Sequence, residues 1–231
     1  MYKKKSLLAI IPARGGSKGI PRKNLRKIKG KSLTSIALNF AKKQKIIDEI
    51  VVSTDSNQIA NEAKKNNLKV PFMRPKKLSG DRISAFKVLE HGLKESEKYF
   101  KKNFDYIIMF EPTSPLRKSY EFKAALNKIY QRKLDAVWTV SKIDSKFHPY
   151  KQLLIKKGLM KLFSPNGKKI FYRQSLKKTY IRNGAVYIFS TKCLKKYKNI
   201  YGKKLGYIVS KTTHISIDTI EDLNLVKKYY K

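Results

Sequence analysis

Between Arg14 and Asn24 the chain sets Arg14, Lys18, Arg22 and Lys23 among Gly15, Gly16, Gly19 and Pro21. Glycine lets backbone N–H groups approach a ligand closely, and cationic side chains beside such a loop suit a polyphosphate. The loop follows Leu7 to Ile11, a short aliphatic run that ends at Pro12 and reads as a buried strand. A loop at a strand's carboxyl end is where open α/β sheets bind nucleotides. It is not a Walker A loop: Gly30-Lys31-Ser32 matches that motif's tail, but position 25 is Leu where Gly is required. G-x-G-x-x-G is absent too. On composition alone, a tight turn with solvated lysines is the alternative.

Four further groups of residues have chemical potential. Arg74-Pro75 precedes Ser79-Gly80-Asp81 between a predicted strand and a predicted helix. A proline-led turn with Ser79 or Asp81 capping the helix explains that stretch without function. Glu111-Pro112-Thr113-Ser114-Pro115-Leu116-Arg117 follows an apolar strand. Its prolines make a rigid loop on the side of the sheet that carries the first loop, with Glu111 directed toward a cleft. Arg182 and Asn183 stand just before another strand. Finally, Asp218 follows Ile217 and can cap the last helix, with Glu221 completing a capping box. A carboxylate facing a phosphate loop is also what a Mg²⁺ ion bridging protein and triphosphate requires. His91, His148 and His214 form no metal-ligand spacing, and His91 in a predicted helix reads as structural.

The elements that must position these residues follow from periodicity. Helical spacing predicts helices over about 32–44, from Asp55-Ser56 to Lys65, around Ile83–Leu93, around Phe122–Ile129, and over about 220–229. Strands are predicted at Glu49–Thr54, Val70–Met73, Asp105–Phe110, Ala136–Val140, Ala185–Phe189 and Ile215–Ile217. Strands alternating with helices imply a three-layer α/β fold around a mainly parallel sheet. The alternation breaks after Ser141. Residues 144–180 hold Pro149, Gly158, Pro165 and Gly167 between short β-like pieces, QLLI, LMKLF and KIFYR. We expect one domain spanning 1–231, with that stretch as a projecting excursion.

Composition narrows the possibilities further. The chain has 231 residues, and its 54 Lys+Arg against 16 Asp+Glu give a net charge of +38. Such charge alone suggests nucleic-acid binding. The lysine doublets, however, recur from 42–43 to 227–228 near element ends and form no single basic tail. A solvated lysine-rich surface accounts for them, and it would still favour anionic substrates. A single cysteine, Cys193, rules out an internal disulfide and fits a reducing compartment. No apolar run approaches a membrane span, and Lys3 to Lys5 lead into a strand, so a soluble cytoplasmic protein is expected.

The five groups, taken in order, resemble the hallmarks of the acylneuraminate cytidylyltransferases, or CMP-sialic acid synthetases. Those hallmarks are A-R-x-G-S-K-G-[IL]-x-x-K-N, R-P-x-x-L-[SA]-x-D, L-[QE]-P-T-S-P-L-R, R-x-N-G-A-[IV]-Y and I-D-T-x-x-D, and the resemblance covers nearly the whole chain. It implies a Rossmann-like nucleotidyltransferase fold working as a homodimer, the excursion reaching the partner's active site. The implied reaction joins CTP to a nine-carbon 2-keto sugar acid, giving CMP-sugar and pyrophosphate with Mg²⁺. A sister enzyme for 3-deoxy-manno-octulosonate is the near alternative.

By this resemblance Arg14, Gly15, Ser17, Lys18, Asn24, Arg74 and Ser84 form the nucleotide site. Arg14 and Lys18 would hold the triphosphate, while Ser17, Asn24 and Arg74 would hold the cytidine. Asp218 would ligate Mg²⁺, and Arg14, Lys18 and Asp218 would carry catalysis. Glu111, Arg173, Arg182 and Asn183 would lie near the acceptor. Two departures from the pattern matter: Glu111 stands where sialic acid enzymes often have Gln, and Ser216 replaces the first carboxylate of I-D-I-D-T.

Overall fold

Strand β1 (Leu7–Pro12) lies inside a six-stranded sheet and pairs in parallel with β4 (Glu49–Ser53) on one side and β5 (Tyr106–Met109) on the other. The computed structural model describes residues 2–169 and 172–230. Two short strands, β2 (Lys27–Ile28) and β3 (Lys31–Ser32), form a small hairpin between β1 and helix α1 (Leu33–Lys43). The chain continues through α2 (Asn57–Lys65), α3 (Ala85–Phe100), α4 (Ser119–Gln131) and β6 (Ala136–Lys142). After the excursion come β9 (Tyr180–Ser190), α5 (Thr191–Lys195), β10 (Leu205–Val209) and α6 (Ile220–Tyr229). The sheet order is β10-β6-β9-β5-β1-β4, with β9 antiparallel to both neighbours and the other pairs parallel.

The alternation of side chains along a strand divides the core into two layers. The division is clearest in β1: Leu7, Ala9 and Ile11 pack with Leu38 of α1 and Phe122 of α4. Leu8 and Ile10 pack on the opposite face with Leu89 and Leu93 of α3. A strand covered on both faces must be apolar throughout, which is why β1 reads as an uninterrupted run. A third cluster joins Ile20, Leu33, Leu116, Ile217, Leu223 and Val226, tying the first loop, the 111–117 loop and the C-terminal segment together.

Several boundaries differ from the sequence reading. Val70–Met73 is not a strand. Pro71 has no N–H to donate to a ladder, and the segment is instead anchored by the Arg74 N–H to Thr54 oxygen bond at 2.7 Å. Ile215–Ile217 is also irregular, held by the Ile217 N–H to the Thr113 carbonyl at 2.9 Å. The edge strand β10 has no counterpart in the sequence reading, because its glycine and its three exposed positions weaken the pattern.

Within 144–180, β7 (Leu153–Lys156) and β8 (Leu159–Leu162) form an isolated antiparallel hairpin. The third β-like piece, KIFYR, is not a strand where it is described. Lys169 ends one 3₁₀ turn and Arg173 opens another, while positions 170 and 171 lie outside the described residues.

Candidate active site

The carboxyl ends of β1 and β5 open onto a cleft of about 640 Å³, with Arg14, Lys18, Lys23 and Arg74 on one wall and Glu111, Ser216 and Asp218 also lining it. Ser17 and Asn24 line the same space. The loop's path depends on close approaches at two glycines. A Cβ on Gly15 would lie 2.9 Å from Ser56 Cβ, and one on Gly19 would lie 2.7 Å from the Asp218 carbonyl oxygen. The Gly15 N–H donates to Asp55 at 2.8 Å, and Asn24 Nδ2 donates to the Arg14 carbonyl at 2.9 Å. The first bond ties the loop to the segment after β4, and the second ties the two ends of the loop to each other.

The cations of this loop are already paired. Asp81 accepts Arg14 at 2.6 Å through one oxygen and Lys18 at 2.8 Å through the other. The hydrogen bonds from Lys18 and Arg14 hold the Asp81 carboxyl below its usual range. Two cations gripping one anion, with Lys18 otherwise exposed, form an anion-binding fork. Arg74 is buried behind it, Nε donating to Ser79 Oγ at 3.1 Å. Burial lowers the Arg74 pKa, opposed by the nearby Asp55 carboxylate.

The facing carboxylates arise from a one-residue shift in capping. Thr219, not Asp218, caps α6, and Asp222 completes its capping box in place of Glu221. Asp222 accepts the N–H groups of Asp218 and Thr219 at 2.9 and 2.8 Å. The Asp218 side chain is therefore free to point at Lys23, whose Nζ lies 2.8 Å away. Ser84 likewise caps α3 in place of Ser79 or Asp81, leaving those two for the arginines.

Glu111 sits where β5 ends. A Cβ on Gly184 would lie 2.5 Å from Glu111 Oε2, so the glycine, at φ +69°, makes room for this carboxylate. Burial raises the Glu111 pKa, with Arg117 and Arg182 opposing. Arg117 clamps the loop: it is buried, its Nε donates to the Ala185 carbonyl at 3.0 Å, and a terminal nitrogen donates to the Glu111 carbonyl. Burial brings its pKa down to about 10. Nothing in the sequence alone distinguished this internal arginine from a phosphate ligand.

Four expected site side chains do not line this cleft. Ser84 is an exposed helix cap that accepts the Lys87 N–H at 3.4 Å. Asn183 is buried at the β6–β9 irregularity, where Oδ1 accepts Thr139 at 2.7 Å and Nδ2 donates to Ser210 at 2.7 Å and Ser141 at 3.1 Å. Its hydrogen-bonding capacity is used internally. Arg173 donates to Ser145 at 2.8 Å and lines a second cavity of about 480 Å³ within the excursion. Arg182 is exposed, its guanidinium 5.4 Å from the Trp138 ring.

Among the described residues, no three acidic, histidine or cysteine groups converge on a metal point. The cleft offers single hard carboxylate oxygens. This suits Mg²⁺ only in its usual manner, with phosphate and water completing the shell.

A family model described as cytidylyltransferase matches residues 8–231. The chain belongs to the cytidylyltransferase family. It is a nucleotidyltransferase that uses CTP. Post-translational flagellin modification protein B of Campylobacter coli is 33% identical over 96% of this chain and 93% of its own length. CMP-N,N'-diacetyllegionaminic acid synthase of Campylobacter jejuni is 32% identical over 96% of this chain and 93% of that protein. A CMP-2-keto-3-deoxy-manno-octonic acid synthetase solved with CTP shares the fold at a TM-score of 0.70, covering 97% of this chain and 98% of that one. At 16% identity, that structure speaks to fold alone. Among the described residues no helix is long and apolar enough to cross a membrane.

Proposed function

We propose that this cytidylyltransferase activates a nine-carbon 2-keto sugar acid, releasing CMP-sugar and pyrophosphate. The observation that carries the reading is the Arg14–Lys18 fork held on Asp81. The Asp81 carboxylate stands in for a phosphate, and a triphosphate, with more charge and more oxygens, displaces it. Arg14 and Lys18 then bind the triphosphate, Lys18 facing the departing pyrophosphate. Gly15, Ser17, Asn24 and the buried Arg74 shape the nucleoside end. Asp218 supplies the protein's carboxylate to Mg²⁺, which when bound neutralises phosphate charge. Arg182 offers a cation to the acceptor's own carboxylate.

The acceptor class is supported by the legionaminic acid named for a relative at 32% identity. The chain acts as one domain and as a homodimer in this reading, its 144–180 excursion packing on a second copy and carrying Arg173 toward that copy's cleft. The exposed apolar side chains of the hairpin support it: Ile155 is 78% and Met160 69% exposed. The unpaired, buried Cys193 fits a cytoplasmic location.

The test is pyrophosphate release with CTP and Mg²⁺, offering sialic, legionaminic, pseudaminic and 3-deoxy-manno-octulosonic acids in parallel. Release with a nine-carbon acid, and none with ATP or GTP, is expected. Release with the octulosonate alone would assign the sister activity. In the same assay Lys18→Ala is expected to lower kcat by about 100-fold, the scale of losing one group that stabilises developing charge. Unchanged turnover would remove Lys18 from the mechanism.

A further inference from the structure

Three carboxylates border the cleft or its cationic fork, and they differ in what they touch. Asp81 is held by Arg14 and Lys18, and Asp218 by Lys23. The Glu111 main-chain carbonyl is taken by Arg117. Among the described residues its carboxylate has neither a hydrogen-bond nor an ion-pair partner, although it lines the cleft and is only partly exposed. A carboxylate so placed is costly to keep unless it has a use. The fold accommodates it deliberately: Gly184 removes the side chain that would occupy the space of Oε2, and Arg117 fixes the backbone on which it stands. Ser216 lines the same cleft, where a hydroxyl cannot serve as a base at neutral pH.

We infer that Glu111 is the general base of the transfer, accepting the proton of the sugar acid's attacking hydroxyl. The inference rests on the cytidylyl transfer to a sugar acid proposed above. In the step, the acceptor O–H bond breaks and its proton passes to a Glu111 oxygen. The acceptor oxygen's electron pair forms the bond to the α-phosphorus. The bond from that phosphorus to the bridging oxygen breaks, and its electron pair leaves with pyrophosphate. After product release Glu111 returns the proton to solvent.

Burial strengthens Glu111 as a base by raising its affinity for a proton, which brings a carboxylate nearer the working pH. The charges facing it come from every neighbouring element. Arg117 before α4, Arg182 on β9 and Lys23 on the loop lower the proton affinity, while Asp218 raises it. Tyr187, also on β9, is kept as the neutral phenol by burial and by Glu111 itself.

The experiment measures turnover against pH for the full chain, with Glu111→Gln and Glu111→Asp beside wild type, and CTP binding by titration calorimetry. Glu111→Gln is expected to lose about 100-fold in kcat or more, the range for a missing general base. It should bind CTP as wild type does and lose the acid-side fall of the rate profile. Glu111→Asp should keep that fall at reduced rate. Adding Ser216→Asp to Glu111→Gln returns a carboxylate to the cleft and is expected to recover part of the rate. A Glu111→Gln enzyme within threefold of wild type, with the same profile, overturns the inference alone. Loss of CTP binding in both Glu111 variants also overturns it, because the residue would then be structural. A wild-type chain that turns over none of the acids overturns the proposed reaction and this inference together.

Discussion

Strand β1 and the β7–β8 hairpin are both rich in aliphatic residues, yet Leu7 to Ile11 are completely buried while every residue of β7 is exposed. The difference lies in their surroundings. β1 has a strand on each side and helices on both faces, so each apolar side chain meets one of the two core layers. The hairpin has only its own two strands, an arrangement of marginal stability in water. An aliphatic strand therefore announces a need for cover, and the chain supplies that cover internally for one region and not for the other.

The largest expected contrast comes from truncation. Phe110→Ala, in the core beside β5, should cost about 3–5 kcal/mol of unfolding free energy, whereas Ile155→Ala should cost below about 0.5 kcal/mol. Urea midpoints measured at a concentration where the chain is monomeric check both. A large loss for Ile155→Ala there would mean that the hairpin packs on its own chain.

Glycine sharpens the comparison. Gly184 and Gly158 have similar positive φ, +69° and +74°, but a Cβ meets Ser114 and Glu111 at the first and nothing within 4 Å at the second. Gly184→Ala should cost ~3 kcal/mol, combining backbone strain of about 1–2 with overpacking of about 1–3 kcal/mol. Gly158→Ala should show the backbone share alone, which the same urea series resolves.

The smallest effect is in acid. Burial would raise the Glu121 pKa, but hydrogen bonds from His214, Ser210 and the Lys118 N–H outweigh it and hold the folded value low. The stability this confers is present above the unfolded glutamate pKa and lost as pH falls through the folded one. Glu121→Gln should flatten the fall of the urea midpoint below about pH 5, the window where that linkage operates. Asp144→Asn, on the exposed excursion, should change the profile less.

The sequence made the burial of the central strands plain because a strand covered on both faces carries a long aliphatic signal. It was poorer wherever polar residues had two competing uses. Asp218, Ser79 and Asp81 all had capping spacing, and in each case a neighbour, Thr219 or Ser84, caps the helix instead. Spacing counts hydrogen-bond opportunities within a few residues; it does not include the distant cation that decides between them. Asn183 is the opposite case: its partners at Thr139, Ser141 and Ser210 come from other segments, which local spacing does not display.

The Lys23–Asp218 pair, with Gly19 packed close to the Asp218 carbonyl beside it, joins residues separated by 195 positions. Closing so long a loop is entropically slow to be rewarded, whereas adjacent strand–helix units need only short-range encounters. The cleft is thus a late-forming element fastened to an earlier-forming sheet. On refolding, recovery of helical signal is expected to run ahead of recovery of nucleotide binding.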